Sequence, residues 1–479
     1  MEFLNWASIS LSIFLSFTTS GHALLNQRTP AAALGWVAVC LMFPFVGPIF
    51  YFLFGINRVK TRARRLEDKR PAALSITGEY RNAVNIASVS SSGLNLPRSY
   101  VQIARISDTV SNFSMVAGNQ IDPLHNGEAA YPAILQTINS ATKTLYLTSY
   151  IFDTSDTGKL FIDALGNAVK RGVDTRVIID GFGELYSLTR ASKKLEKQGV
   201  KVARFLPPRL FLPPIHINLR NHKKIIVADG QVGYTGGMNI SNRHLAENIK
   251  NPLRCIDMHF RLRGPVVMQL EQAFLDDWAF CTGEQVEAAP YLPVKSGSAV
   301  CRVITDGPNE DMNNLSTILI GAISSARERI LIMTPYFLPS LEMTSALQTA
   351  ALRGVDINIV LPAKNNLPYI KWASTNMLHD LLFRGVKIFY QPAPFVHTKL
   401  FVIDDQYSQI GSANLDPRSL RLNFELNVEI YDRHFAKTLT THIHDNILQS
   451  HQVRIESILN RPFLIKLRDA FMWLFSPYL

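Results

Sequence analysis

Two kinds of apolar pattern divide this chain. Up to residue 57 the pattern is continuous rather than periodic. Residues 29 to 57 carry no charged side chain, and from Ala31 to Phe54 the run is rich in Ala, Leu, Val, Phe and Trp, with Pro44, Gly47 and Pro48 inside it. About 20 apolar residues suffice to cross a bilayer, and Gly and Pro are tolerated in such a span. The run therefore predicts a kinked transmembrane helix. Residues 3 to 25 are uncharged apart from His22 but hold Asn5 and many Ser and Thr, a second and weaker span. No basic cluster precedes it, which argues against a cleaved secretory signal. Together the two predict a transmembrane hairpin turning near Gln27-Arg28-Thr29-Pro30.

Further along, the pattern becomes periodic and alternates between two kinds. Helix-spaced apolar positions run from Leu160 to Lys170 and again from Leu341 to Leu352. Each stretch closes on Arg-Gly-Val-Asp, where the Gly suits a helix C-cap. A fully apolar run follows, Val177-Ile178-Ile179 or Ile359-Val360-Leu361, as expected of a strand buried on both faces. Strand, helix, strand in this order implies parallel pairing with helices packed on a sheet. The matches keep the same order in both halves. Leu145 to Tyr150 answers Leu331 to Tyr336, and Gly199-Val200-Lys201-Val202 answers Gly385-Val386-Lys387-Ile388. The repeated unit is about a domain long, too long for a solenoid repeat.

Inside the repeat lies a shorter one that carries chemistry. His222-Lys223-Lys224 leads to Asp229 and then Gly236-Gly237-Met238-Asn239. His397-Thr398-Lys399 leads to Asp404 and then Gly411-Ser412-Ala413-Asn414. Both read H-x-K-x4-D-x6-G-[GS]-x-N. Each predicts a hairpin with the Asp at its turn. On an extended chain residues i and i+2 share a face, so His222 points with Lys224 and His397 with Lys399. The two Asp read as structural, while the equal spacing of the two copies says that the histidines act together.

The net charge of +11 is concentrated. Seven basic and two acidic residues lie between Arg58 and Arg70, next to the apolar run. A basic chain suggests nucleic acid or an anionic membrane; the neighbouring span selects the membrane. The positive-inside rule then places everything after residue 58 in the cytoplasm. Four cysteines, at 40, 255, 281 and 301, form no C-x-x-C pair, which argues against a zinc cage and a disulfide framework. No metal, cofactor or nucleic-acid partner is expected. A Pro-rich stretch, Phe205 to Pro214, precedes the first motif only. Phe463, Phe471, Trp473, Phe475 and Tyr478, with Lys466 and Arg468 between them, suggest a C-terminal helix lying in a membrane interface or docked on the core.

The doubled motif resembles the phospholipase D superfamily over nearly the whole chain, and most closely the bacterial cardiolipin synthases. Asn218 to Lys224 with Thr235 to Asn239 is similar to their first motif. Phe395 to Lys399, Gly411 to Ser419 and Asn423-Phe424-Glu425 are similar to their second, and Arg28-Thr29-Pro30 before a span ending Tyr51 to Gly55 to their anchor. The resemblance implies an α/β fold: two tandem homologous phospholipase D-like α/β sandwich domains behind an N-terminal transmembrane hairpin. The segments are 1–57, two transmembrane helices; 58–124, a basic linker and lead-in; 125–290 and 291–460, the two domains; and 461–479, the C-terminal helix. It also implies one metal-free active site where the domains meet, a bacterial inner-membrane location, and transfer of a phosphatidyl group between lipids, commonly two phosphatidylglycerols giving cardiolipin and glycerol.

The residue types fit that chemistry. Lys224 and Lys399 can neutralise a phosphodiester, while Asn239, Asn414 and Ser412 can bind its oxygens. A neutral imidazole is a competent nucleophile, and the leaving alcohol needs a protonated one. Carboxylates can hold two histidines in different states, and Glu425 and Asp257 are the candidates. Glu425 lies eleven residues past Asn414, and Asp257 eighteen past Asn239. By that distance Glu425 is expected to serve His397 as the acid, leaving His222 as nucleophile, the role that related enzymes most often give the first-half histidine. Hydrolysis to phosphatidic acid would use the same intermediate. A nuclease would need no anchor, and a non-catalytic scaffold would show a damaged motif. Sequence does not give the oligomeric state.

Overall fold

The computed structural model describes residues 2–27, 30–55, 98–187, 189–208, 219–288, 294–308 and 313–479. The basic run from Arg58 to Arg70, Asn218 and most of the Pro-rich stretch lie outside them. The chain divides into two compact units, Met1–Asp68 and Lys69–Leu479.

In the first unit a helix runs unbroken through Glu2–Asn26. At about 1.5 Å per residue, its Trp6–Asn26 stretch is long and apolar enough to cross a bilayer. Here the order of the two spans reverses the sequence expectation. The hydroxyls of Ser12, Thr18 and Thr19, which weaken residues 3 to 25 on paper, are satisfied within the helix. Thr18 Oγ1 donates to Phe14 O at 2.7 Å and Thr19 Oγ1 to Leu15 O at 2.6 Å, so they cost little in an apolar setting. The second apolar segment is interrupted instead. A helix Pro30–Met42 breaks at Phe43-Pro44-Phe45, resumes as Val46–Phe50 and ends in a π-helical turn, Tyr51–Gly55. It folds back on the first helix. Ser16 Oγ donates to Cys40 O at 2.9 Å, and Ala23, Cys40 and Tyr51 are buried together.

The second unit is built on one mixed sheet. The first half supplies β1 (Val116–His125), β2 (Thr144–Ser149), β3 (Asp174–Asp180), β4 (Lys201–Phe205), β5 (Ile225–Ala228), β6 (Val232–Gly236), β7 (Cys255–Ile256) and β8 (Met258–Arg263). The second half supplies β9 (Ala299–Asp306), β10 (Arg329–Met333), β11 (Asp356–Pro362), β12 (Lys387–Gln391), β13 (Phe395–Val396), β14 (Leu400–Ile403), β15 (Tyr407–Gly411), β16 (Glu425–Tyr431) and β17 (His451–Gln452). Fifteen of these strands form a continuous sheet in the order β17-β12-β11-β10-β14-β15-β16-β9-β1-β8-β6-β5-β2-β3-β4. Its centre is the antiparallel pair β1 and β9, one from each half. On either side the same order repeats outward.

The apolar runs take the places their composition demands. β2, β3 and β4 pair in parallel, as do β10, β11 and β12, and the runs at 177–179 and 359–361 are buried. The helices Asp156–Lys170 and Leu341–Leu352 connect them. A large apolar cluster lies within each half. The helix Arg98–Val110 belongs with the second cluster, which takes in Tyr100, Ile103 and Ala104.

Candidate active site

Each motif folds as a hairpin, β5–β6 and β14–β15. Asp229 and Gly230 have φ of 51° and 61°, and Asp404 and Asp405 have φ of 50° and 53°. Two consecutive left-handed residues make the tight turn that matches strand twist. Both turn aspartates bind backbone N–H groups of a neighbouring strand's entry. Asp229 accepts the backbone N–H groups of Thr142, Lys143 and Thr144 at 2.7–2.9 Å. Asp404 accepts those of Arg327, Glu328 and Arg329 at 2.7–2.9 Å, and also the Tyr100 hydroxyl at 3.0 Å. Each pins the entry of the strand beside its hairpin, and neither lines the cleft described below.

The histidines sit just before their hairpins, where each half of the unit pairs with the other. His222 N–H donates to Phe424 O at 2.9 Å, and Asn221 bridges Phe424 in parallel. On the other side β13 pairs in parallel with β7, and His397 N–H donates to Ile256 O at 2.7 Å. Glu425 follows Phe424, and Asp257 follows Ile256. Each histidine is thereby set against a carboxylate of the opposite half. His222 Nδ1 lies 3.0 Å from Glu425 Oε2, and His397 Nδ1 lies 2.8 Å from Asp257 Oδ2. The expectation that Glu425 serves His397 is thus corrected. Distance along the chain misleads because the two carboxylates are equivalent in the sheet. Gly236 pairs with His259 and Gly411 with Asn427, and each carboxylate stands two residues before that partner.

Ser412 also has a different job from the one expected. It is fully buried, its hydroxyl donates to Glu425 Oε2 at 2.5 Å, and it holds the carboxylate rather than the substrate. The matching position in the first motif is Gly237. A Cβ there would come within 2.5 Å of Asp257 Oδ1, so the glycine leaves room for the shorter acid.

Both histidines and both asparagines line one open cleft of about 1030 Å³. Asn239 Oδ1 accepts from Ile151 N–H at 3.1 Å, which leaves its NH2 as the available donor. Asn414 donates to Ser419 Oγ at 3.0 Å. Turning that amide over, with the Ser419 hydroxyl donating, would free its NH2 likewise. The two lysines lie beneath. Lys224 Nζ donates to His222 O at 2.5 Å, and Lys399 Nζ to His397 O at 2.6 Å. Lys399 Nζ also lies 3.1 Å from His397 Nε2.

Burial dominates the electrostatics. It pulls Lys224 down to about 7 and Lys399 to about 8, against the pull of Glu425 and Asp257. It pushes Glu425 up to about 7 and raises Asp257. Both histidines fall well below their ordinary value, first through burial and then through the two ammonium groups. An anion in the cleft would relieve that field.

One residue of this cluster escapes sequence reasoning. His244 is buried on the cleft wall. Its Nε2 accepts Asn239 N–H at 3.1 Å, its Nδ1 lies 3.6 Å from Asp257 Oδ2, and burial lowers its pKa to about 3. It stands five residues past Asn239, as Ser419 stands five past Asn414; extending the repeat alignment by that much would have found it. Among the described residues no group of three or more His, Cys, Asp or Glu is placed to hold a metal.

Two homologous α/β halves meeting over a shared His/Lys/Asn pair define a phosphodiester enzyme of the phospholipase D type. The family model "Cardiolipin synthase, PLD-like domain" matches residues 134–278 and 319–447, and "Phospholipase_D-nuclease N-terminal" matches 11–55. The chain belongs to the cardiolipin synthase family of the phospholipase D superfamily. It is 30% identical over 484 residues to the major cardiolipin synthase ClsA of Bacillus subtilis (strain 168), covering 99% of each chain. Identity and coverage are the same for cardiolipin synthase A of Proteus mirabilis (strain HI4320). The phosphatidylserine synthase of Haemophilus influenzae Rd KW20 shares the fold, with a TM-score of 0.59 at 15% identity over 79% of this chain and 100% of that one.

Proposed function

We propose that this enzyme makes cardiolipin from two molecules of phosphatidylglycerol through a covalent phosphatidyl-histidine. The observation that carries this reading is the crossed pairing of each histidine with the carboxylate of the other half, over one cleft. A carboxylate on Nδ1 keeps the proton there and leaves the Nε2 lone pair for chemistry. In the first step Nε2 of one histidine attacks phosphorus. The bond from phosphorus to the headgroup glycerol oxygen breaks, and that oxygen takes a proton from Nε2 of the second imidazolium. In the second step the second histidine removes the proton of an incoming phosphatidylglycerol hydroxyl. Its oxygen attacks phosphorus, the P–N bond breaks and cardiolipin leaves. Lys224 and Lys399 carry the positive charge beneath the phosphodiester, and Asn239 and Asn414 donate to its oxygens.

His222 is the nucleophile and His397 the acid in this scheme. The charge of Glu425 is shared with two further donors, the Ser412 hydroxyl and Asn423 Nδ2. Asp257 accepts from Met258 N–H on its other oxygen, and the nearer one faces His397 at 2.8 Å with His244 Nδ1 farther off at 3.6 Å. The less encumbered carboxylate favours the imidazolium at His397. Residues 125–290 and 291–460 act as the two catalytic domains. The N-terminal helices anchor the chain as a multi-pass protein of a bacterial inner membrane, with the basic run at 58–70 holding the catalytic unit on the cytoplasmic side.

The test is to incubate the purified full chain with phosphatidylglycerol alone and identify the products by mass. Cardiolipin and glycerol in equal amounts support the reading; phosphatidic acid as the sole lipid product would reassign the enzyme as a hydrolase. Rapid quench with labelled phosphatidylglycerol and peptide mapping should place the label on the peptide that holds His222. Label on His397 would reverse the two roles.

A further inference from the structure

The C-terminal helix Phe463–Trp473 is amphipathic the wrong way round for a soluble surface. Its one acidic residue faces inward, while Lys466 and Arg468 are exposed. Asp469 is buried and pairs with Arg461 and with Arg468, 2.7 Å away, while the Arg468 guanidinium stacks on the Trp372 ring at 4.4 Å. Its apolar side faces out. Phe463 and Leu464 are each 75% exposed, and Leu467, Phe471, Leu474 and Phe475 are exposed with them. Positions 463, 467, 471 and 474 follow the 3.6-residue period, so they form one stripe. Exposed apolar patches of this extent mark contact surfaces.

The stripe borders the active site. Met472 and Leu479 pack against Leu338 and Ile370, and both Ile370 and Leu479 line the catalytic cleft. On the cleft's other wall, from the first half, Ile249 and Leu253 are 77% and 60% exposed. Bare apolar side chains of the first half thus line the cleft, and those of the C-terminal helix stand on the element packed beside its other wall, where Lys466 and Arg468 add positive charge.

We propose that this face is a monotopic docking surface for an anionic bilayer. The helix Phe463–Trp473 lies in the headgroup plane, Ile249 and Leu253 dip in opposite it, and the cleft opens onto lipid. The proposal deepens the lipid reading of the cleft and rests on it. A lipid surface is the occupant that fits both features. Apolar side chains enter the acyl boundary, and the cations meet anionic headgroups. A substrate with two acyl chains then reaches the histidines without leaving the membrane.

The full chain, reconstituted in phosphatidylglycerol vesicles, tests this. Bimane is attached at Leu467→Cys in a Cys281→Ser background, since the other three cysteines are buried. A control probe sits at Lys170→Cys, an exposed position just before β3, whereas the cleft residue Phe182 follows that strand. Lipid brominated near the headgroup should quench the probe at 467 and leave the control bright. Quenching at 467 by aqueous iodide alone overturns the proposal. So does quenching by neither agent, which would mean that a protein covers the stripe, either the N-terminal helices or a second copy. The double variant L464E/L467E should lower cardiolipin synthesis in vesicles by about tenfold or more. In detergent with monomeric dihexanoyl phosphatidylglycerol it should stay within about twofold of the parent, because no bilayer is needed there. Equal synthesis by variant and parent in vesicles overturns docking as a contributor to turnover. If the probe is quenched but the parent transfers nothing on either substrate, the docking stands and the reading of function falls.

Discussion

The crossed carboxylates are chemically alike but differently wired, so removing the charge from each should have unequal effects. In Asp257→Asn one of the two oxygens must become NH2. Oδ1 accepts Met258 N–H at 2.8 Å and Oδ2 faces His397 Nδ1 at 2.8 Å. Keeping the oxygen toward Met258 turns the NH2 onto His397 and forces the imidazole into the tautomer with its proton on Nε2. The flipped amide would leave a buried N–H without an acceptor, at about 1–3 kcal/mol. The wrong tautomer therefore leads by roughly 5- to 150-fold. Loss of a charged partner for the imidazolium adds a factor of similar size, so turnover should fall by roughly 25- to 2 × 10⁴-fold. The logic is that by which Asp→Asn disables a Ser-His-Asp triad.

In Glu425→Gln the outcome differs. Oε2 alone serves both His222 and Ser412, and Oε1 meets only Asn423 Nδ2, at 3.4 Å. The glutamine can keep its oxygen on His222 and present NH2 to Asn423, whose own Oδ1 is buried without a partner among the described residues. The tautomer survives and only the charge is lost. A charged hydrogen bond exceeds a neutral one by about 1–1.5 kcal/mol, so the rate should drop roughly tenfold. First-turnover synthesis from labelled phosphatidylglycerol, with thermal unfolding to confirm the fold, measures both variants. Nitrogen-15 shifts of the imidazoles read the tautomers directly. Equal losses in the two variants, or an unchanged His397 tautomer in Asp257→Asn, would refute the reasoning.

Other outcomes follow from the same site. His222→Ala and His397→Ala should each abolish turnover while leaving the fold and membrane binding intact, because the pair works as a unit; near-normal synthesis by either would end the two-histidine scheme. Exhaustive chelation should leave activity unchanged, and a loss that divalent metal restores would contradict the lysine-based site. Lys224 and Lys399 are held at about 7 and 8, so both ammonium groups are present below that range and are lost as pH rises through it. The KM for phosphatidylglycerol should therefore rise above pH 7–8, and a flat KM would show that the lysines do not hold the anion. Asp404→Ala strips acceptors from three backbone N–H groups and should cost about 3 kcal/mol or more, seen as a lower unfolding temperature with residual activity in the folded fraction.

Much of this architecture is legible in the residues. The runs at 177–179 and 359–361 could only be doubly buried strands, and the spacing of the two motifs requires paired hairpins. A turn also suits Asp229-Gly230, because a left-handed backbone tolerates Asp and Gly. What the sequence hides is register and partnership across space. Ser412 reads as a phosphate ligand until Glu425 is found against it. The carboxylates look inequivalent because the irregular segment between Asn239 and Asp257 lengthens one loop and not the sheet. The N-terminal spans are misranked because composition cannot show that the second is interrupted at Phe43-Pro44-Phe45 while Thr18 and Thr19 of the first are satisfied by their own helix.

The exchange of carboxylates between halves has a consequence for how the protein is made. A ribosome completes residues 125–290 well before Glu425 exists. During that interval His222 has nothing to fix its tautomer, and Asp257 has no His397 to serve. The nascent first half is chemically silent, whatever lipid it meets. On the proposed two-histidine mechanism, reactivity arises only when β13 closes on β7 and Phe424 closes on Asn221, so completing the fold and arming the catalyst are one event. A chain truncated anywhere before residue 425 would be inert rather than a loose hydrolase working on the membrane that holds it.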